Sequence, residues 1–525
     1  MSEATRDPII SGMADARSGG DTKGLKDGAI GLLSNTVIAI ASVAPAYSLA
    51  AALGFVVISV GLQAPIVMLL AFVPMVCVAF GYAELNRSVP DCGTTFTWGT
   101  KAFNPAVGWM GGWGIIAADV IVMANLAQIA GQYMFELFGA DGLAASKWWT
   151  LLAGVLWIVA MAYICYIGIE ISARLQYGLL AIELTMLFIF SVTALTKVYA
   201  GSAGHQAIHP ALSWFNPFHL SFSNLTLGLL SALFIYWGWD TAVSINEETK
   251  DRSVTPGKAA VTSTVVLLLT YVIVTVAAEA FAGVSDKGNG LANSDNSGDV
   301  LSILGGQVFG TNGFGWFLAK LLILMVLSSS AASTLTTILP TARTSLAMAV
   351  YKAIPQKFAR IHARYLTPTW STVGMAVVSI GFYIAMTLIS TNVLGDTISS
   401  LGLMIAFYYG LTGITCAWWF RKELGRSARD FVMKGFLPLF GGLVLWAFMV
   451  YGLIQFWKPD YGSTSWTLPF SPHWQVGGVF LTGAGAIVVG VILMLAYALV
   501  SPSFFRGETL DRGTPVLAPE PPPLS

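Results

Sequence analysis

From about residue 30 to residue 500 the chain alternates long apolar runs with short polar segments. A helix rises about 1.5 Å per residue, so about 20 apolar residues cross the hydrocarbon of a bilayer. The pattern predicts twelve such spans, near 30–60, 64–86, 106–137, 148–169, 174–197, 223–246, 258–283, 314–339, 369–390, 394–420, 433–457 and 474–500. The expected fold is an all-α polytopic membrane protein. Residues 1–27 are polar, carry charges of both signs and lack an apolar core, so they read as a disordered cytoplasmic tail and not a signal peptide. Residues 504–525 end in LAPEPPPLS and read as a second, Pro-rich cytoplasmic tail with no means of packing. Between them, 28–503 forms one twelve-helix domain.

Composition agrees with that map. The 525 residues are 55% hydrophobic and only 10% charged, a balance foreign to soluble globular proteins. Lysine and arginine orient the bundle. With the N-terminus inside, 22 of the 27 fall on inside segments. Only Lys147, Lys197, Lys287 and Lys458 fall outside, and Lys320 lies within a span near its outer end. This is a strong positive-inside signal, and it places both termini of a multi-pass protein in the cytoplasm; the expected bilayer is the plasma membrane.

Several chemistries find no support in the sequence. Cys77, Cys92, Cys165 and Cys416 have neither metal-ligand spacing nor an external pairing that suggests disulfides. His205, His209, His219, His362 and His473 all fall in predicted loops, which argues against a histidine relay or a metal site in the bundle. No phosphate-cradling loop or nucleophile elbow is present, so no enzyme, cofactor or nucleic-acid partner is expected.

Two spans are interrupted. The first contains Ala41-Ser42-Val43-Ala44-Pro45, and proline removes a backbone donor and clashes with the preceding turn. The sixth reads FIYWGWDTAVSINEETKD from Phe234, with Gly238 between Trp237 and Trp239 and then Asp240. In lipid a broken helix is tolerated only where it lines a protein-buried cavity. Paired breaks in corresponding positions of two halves are the best sequence pointer to a transporter's binding site. Simple alternatives exist: a proline kink, packing tryptophans, and an aspartate that only caps Thr241, Ala242 or Val243. Glu247 and Glu248, beside Lys250 and Arg252, are expected on a solvated cytoplasmic face.

Three stretches resemble the amino acid–polyamine–organocation permeases, specifically their amino acid permease family. They are YAELNRSVPDCGTTFTWGTKAF (82–103), the sixth-span sequence above, and LPTARTSLAMAVYKAIPQKFARIHARYLTPTW (339–370). The resemblance implies a five-plus-five inverted repeat (LeuT-like) with broken helices one and six. Repeat one would cover about 28–200 and repeat two about 220–422, with two extra helices over about 431–503. It implies alternating access, with Phe234 as an outer-gate aromatic and Trp237 facing the ligand.

Two departures stand out. The family's first break is a Gly-Ser/Thr-Gly run whose amides hold a substrate carboxylate, and here Ser42-Val43-Ala44-Pro45 replaces it. The fifth helix of some proton-coupled members carries a lysine eleven residues after a Ser-Ala-Arg start, and the matching position here is Glu183. An ionisable residue in a span is a functional candidate by default. Asp119, Glu183 and Asp240, with no fixed cation predicted at their depth, suit a cationic guest, protons or both. Ser328, Ser329, Ser330, Ser333 and Thr334 either line the cavity, hold sodium, or simply let helices approach closely.

The expected function is secondary active transport of an amino acid or related amine, with a proton or Na⁺ as coupling ion. A polyamine or organic amine permease or exchanger is the alternative, and a transport-fold nutrient sensor represents a different class. Substrate and lipid bilayer are the expected partners.

Overall fold

The computed structural model describes residues 23–517 except Asp295 and Thr391, and leaves aside the side chains of 169–173. It is mostly helical. Among the described residues, ten helical stretches are long and apolar enough to cross a membrane. The first of these, Leu32–Ser88, is 57 residues long and is divided by Ala44 and Gly61 into helices Leu32–Val43, Pro45–Val60 and Ala64–Ser88. The Phe222–Ile235 helix has 14 residues and is too short to cross alone.

Helices Pro105–Leu137, Gly313–Val350 and Val393–Trp419 form the centre, with 89%, 83% and 89% of their most apolar windows buried in protein. Gly478–Val500, at 17%, is the least enclosed of the ten, with its exposed residues starting at Val488. The central helices carry the hydroxyls, carboxylates and tyrosines that lipid would not tolerate. Small residues set their spacing. A Cβ on Gly413 would lie 2.3 Å from the Pro438 carbonyl oxygen, so the Leu437–Phe456 helix reaches this backbone only across glycine.

The structure departs from the sequence-based expectations in four places outside the breaks. A two-stranded antiparallel ribbon, Ser465–Thr467 with Gln475–Gly477, interrupts the all-α pattern. Its β-branched and aromatic residues are too few to register as a strand against the apolar runs beside it. The expected tail of 1–27 is packed from Lys23 onward, where two carboxylates hold a buried ammonium; residues 1–22 lie outside the described residues. The C-terminal segment also packs before its prolines begin. Phe504 is buried and stacks on Phe96 with ring centroids 5.5 Å apart, and Leu510 is buried too. Lys101 Nζ donates to the Asp511 and Thr514 carbonyls at 3.0 and 2.5 Å. The remainder, 518–525, lies outside the described residues. Finally, Glu247 and Glu248 are buried, because each has a cation from a distant part of the chain.

Candidate functional site

The first break is a single left-handed residue. Ala44 has φ 51 and ψ 71, ending the Leu32–Val43 helix and starting Pro45–Val60, whose first position is proline. Proline suits that position because its missing donor would be unpaired there anyway. The new helix leaves the amides of Ala46 and Tyr47 without intrahelical partners. Glu183 Oε1 accepts from Ala46 N at 2.6 Å, and Ser329 Oγ accepts from Tyr47 N at 3.2 Å. Ser329 in turn donates to the same Glu183 oxygen at 2.6 Å. Glu183 therefore sits on a helix N-terminus, where a carboxylate is favoured. Its other oxygen is buried and has no hydrogen-bond partner among the described residues.

The second break runs from Tyr236 to Asp240, between Phe222–Ile235 and the short helix Thr241–Ser244. Gly238 has φ 122, outside the range that side-chain-bearing residues adopt readily. The position also lacks space, since a Cβ would lie 2.9 Å from the Ser42 carbonyl oxygen. The two breaks are thus in backbone contact. Ser42 Oγ and Thr241 Oγ1 share a hydrogen bond of 2.8 Å, and Ser333 Oγ donates to the Ser42 carbonyl at 2.9 Å.

Asp240 does not cap the helix after it. Its carboxylate accepts from the hydroxyls of Tyr409 and Tyr408, at 2.8 and 3.2 Å. Two phenols reach it from the Val393–Trp419 helix, so the aspartate ties the break to the bundle core. Trp237 Nε1 donates to the Tyr408 hydroxyl, completing a chain from indole to phenol to carboxylate. Trp239 is fully buried between Tyr82 and Tyr409, at centroid distances of 5.1 and 4.8 Å, and its Nε1 has no partner among the described residues. Phe234 meets the Tyr47 ring edge-on at 6.0 Å. Asp119 lies buried in Pro105–Leu137 and accepts from Thr341 Oγ1.

These contacts bring together Ala41, Ser42, Val43, Ala44, Pro45, Phe234, Trp237, Gly238 and Trp239 at one junction, with Glu183 and Asp240 on its borders. Asp119 has a separate local partner. Ser328, Ser330 and Thr334 donate to carbonyls of Met325, Leu126 and Ser330. The Ser328 and Thr334 hydroxyls are thus satisfied within their own helix, whereas Ser330, like Ser329 and Ser333, reaches across to a neighbouring one. Tyr47, Tyr408 and Tyr409 were not singled out from the sequence. The adjacent tyrosines inside one apolar span were the available signal.

On the side with most basic residues, the junction is sealed. Lys23 Nζ lies 2.7 Å from Asp91 Oδ2 and 2.6 Å from Glu247 Oε1. Burial opposes its charge, yet these neighbouring acidic groups hold it well above the ordinary lysine range. Asp91 is held below its ordinary value because Lys23, Thr97 and Gly93 outweigh its burial. Arg343 makes a bidentate pair with Glu248, 2.9 Å on each arm. Ile30 pairs in parallel with Thr249, which fixes the entry to the first helix beside the exit of the second break.

A family profile described as "Amino acid permease" matches residues 30–481. The branched-chain amino acid permease BcaP of Lactococcus lactis is 22% identical over 402 residues, covering 73% of this chain and 79% of that protein. The low-affinity putrescine importer PlaP of Escherichia coli is 19% identical over 383 residues, 72% of this chain and 79% of that one. In fold, the chain is similar to MhsT, solved in complex with L-phenylalanine, with a TM-score of 0.57 and 15% identity. That likeness covers 79% of this chain and 98% of MhsT.

Proposed function

Because the chain belongs to the amino acid permease family, we propose that it is a secondary transporter carrying an amino acid or related amine by alternating access. Its substrate binds between the breaks at Ser42–Pro45 and Phe234–Asp240. The observation that carries this reading is their backbone contact at Gly238 and Ser42, with polar groups of two half-helices converging on one buried point. We read twelve crossings, counting Leu32–Ser88 as two and Phe222–Ser244 as one more, in a five-plus-five inverted repeat with two added helices. Both termini lie in the cytoplasm and the bilayer is the plasma membrane.

The coupling ion in this proposal is the proton, carried by Glu183. That carboxyl lies on the N-terminus of the second half of the first helix, which it can hold when ionised and release when protonated. Pro45 offers no amide to a substrate carboxylate, and the next one, Ala46 N, is already bonded by Glu183. This favours a second reading, in which the guest is an amine without an α-carboxylate. The putrescine importer among the relatives supports it. Counterflow in proteoliposomes tests the proposal. Exchange of labelled amino acid or putrescine against the same unlabelled solute supports transport. A protein that exchanges neither, nor any small amine that stabilises it in a thermal screen, does not fit.

A further inference from the structure

At the end of the bundle richest in lysine and arginine, a cleft of about 690 Å³ opens between four helical elements. The first helix contributes Leu32 and Leu33, whose exposures of 47% and 69% leave them facing outward. Phe80 and Met433 contribute apolar walls from the Ala64–Ser88 helix and the Phe431–Phe436 turn. The rim carries Arg87, Lys258 and Arg429. Glu84 Oε1 accepts from Arg87 Nη1 and Arg429 Nη2, both at 2.8 Å, and holds the two guanidiniums side by side. Arg429 Nη1 is also 3.7 Å from Asp430, which Lys434 holds at 3.0 Å. Among the described residues Lys258 has no ion pair. The rim therefore keeps a net positive charge after its internal pairing.

We infer that this cleft is a binding site for an anionic phospholipid of the adjoining leaflet. Its phosphate sits against Arg87, Arg429 and Lys258, and an acyl chain runs along Leu32, Leu33, Phe80 and Met433. Depth selects a lipid over a soluble anion. Phe80 precedes Arg87 by seven residues on one helix, about 10 Å along its axis, so the apolar wall continues below the basic rim. Charge selects the headgroup, because a zwitterionic lipid brings its own ammonium to a rim already in cationic excess. Basic pockets between membrane helices on the cytoplasmic side have this character in general. The site also joins the base of the first helix to helices Ala64–Ser88 and Thr255–Ala282, so an occupied cleft braces the helix that carries the first break.

Native mass spectrometry of the full-length protein, from mixed phosphatidylglycerol and phosphatidylcholine, tests the site. Wild type is expected to retain phosphatidylglycerol in preference to phosphatidylcholine. Lys258→Gln should weaken that retention roughly fivefold, and each further substitution, Arg87→Gln and Arg429→Gln, by a similar factor. Lys258→Gln breaks no ion pair, so it remains informative if the triple variant does not fold. Leu33→Trp, which keeps every charge but fills the cleft, should lose the lipid as well. Unchanged preference in the triple variant or in Lys258→Gln, or equal retention of phosphatidylcholine, would overturn the site. So would glycerol 3-phosphate binding as tightly as the intact lipid, which would mark a soluble-anion site instead.

Discussion

Replacing Lys23 by methionine removes the cation that Asp91 and Glu247 both contact, while keeping most of the buried aliphatic stem. Both carboxylates then lose their shortest charged contact inside protein. Breaking a buried ion pair by removing one partner costs roughly 3–5 kcal/mol. Opposing this, ordering each residue of the 23–30 segment costs about 1–2 kcal/mol of backbone entropy. The seal is thus a small difference between large terms, and a loss of that size is enough to release the segment. At 1.4 kcal/mol per decade, the opened population should rise by a factor of roughly 10² or more.

Cys92 reports the change directly. Its Sγ lies 3.6 Å from Lys23 Nζ, and it is fully buried. Burial holds the thiol well above its ordinary pKa, and Glu247 adds to that. Opening exposes the sulfur and lowers its pKa, so both effects speed alkylation. With Cys77, Cys165 and Cys416 replaced by serine, a membrane-permeant maleimide should label Lys23→Met far faster than wild type. Lys23→Arg should stay close to wild type. Equal labelling of Cys92 in wild type and Lys23→Met would refute the reasoning.

Three further predictions follow from the same geometry. Gly238→Ala combines strain at φ 122, roughly 1–3 kcal/mol, with a 2.9 Å approach to the Ser42 carbonyl, and should abolish uptake; Gly310→Ala, at φ 98 with open space, should bear only the strain in a thermal-unfolding comparison. Glu183→Gln mimics the protonated carboxyl, so uptake should lose its pH dependence while exchange partly survives, and a wild-type pH profile would make Glu183 purely structural. Ser202→Cys should react with an impermeant thiol reagent in intact cells while Ser427→Cys resists, and the reverse pattern would invert the topology.

The apolar runs made the spans legible, because a crossing needs about 20 uninterrupted residues and little else imitates that. Pro45 and Gly238 were legible for a related reason, since each breaks a helix by its own covalent chemistry. What fills the breaks was not. Asp240 reads locally as a cap, yet its partners lie 168 and 169 residues away, and no local pattern encodes them. Lys23 sits 224 residues from Glu247 and reads as one charge in a polar tail. Buried ion pairs of this kind are set by how helices pack, and sequence periodicity carries no information about them. Glu247 and Glu248 looked solvated for the same reason: only the fold brings Lys23 and Arg343 to them.

Binding to Trp237→Leu tests the location of the site most directly. Trp237 borders the junction of the two breaks, and its ring offers a π-face to an ammonium group. With a solute identified by thermal screening, titration calorimetry on wild type and variant compares their dissociation constants in folded protein. The account predicts weaker binding by a factor of roughly 5 or more, the scale of one lost cation–π contact and its fit, at an unchanged elution profile. An unchanged dissociation constant would place the substrate away from the two breaks and contradict the account.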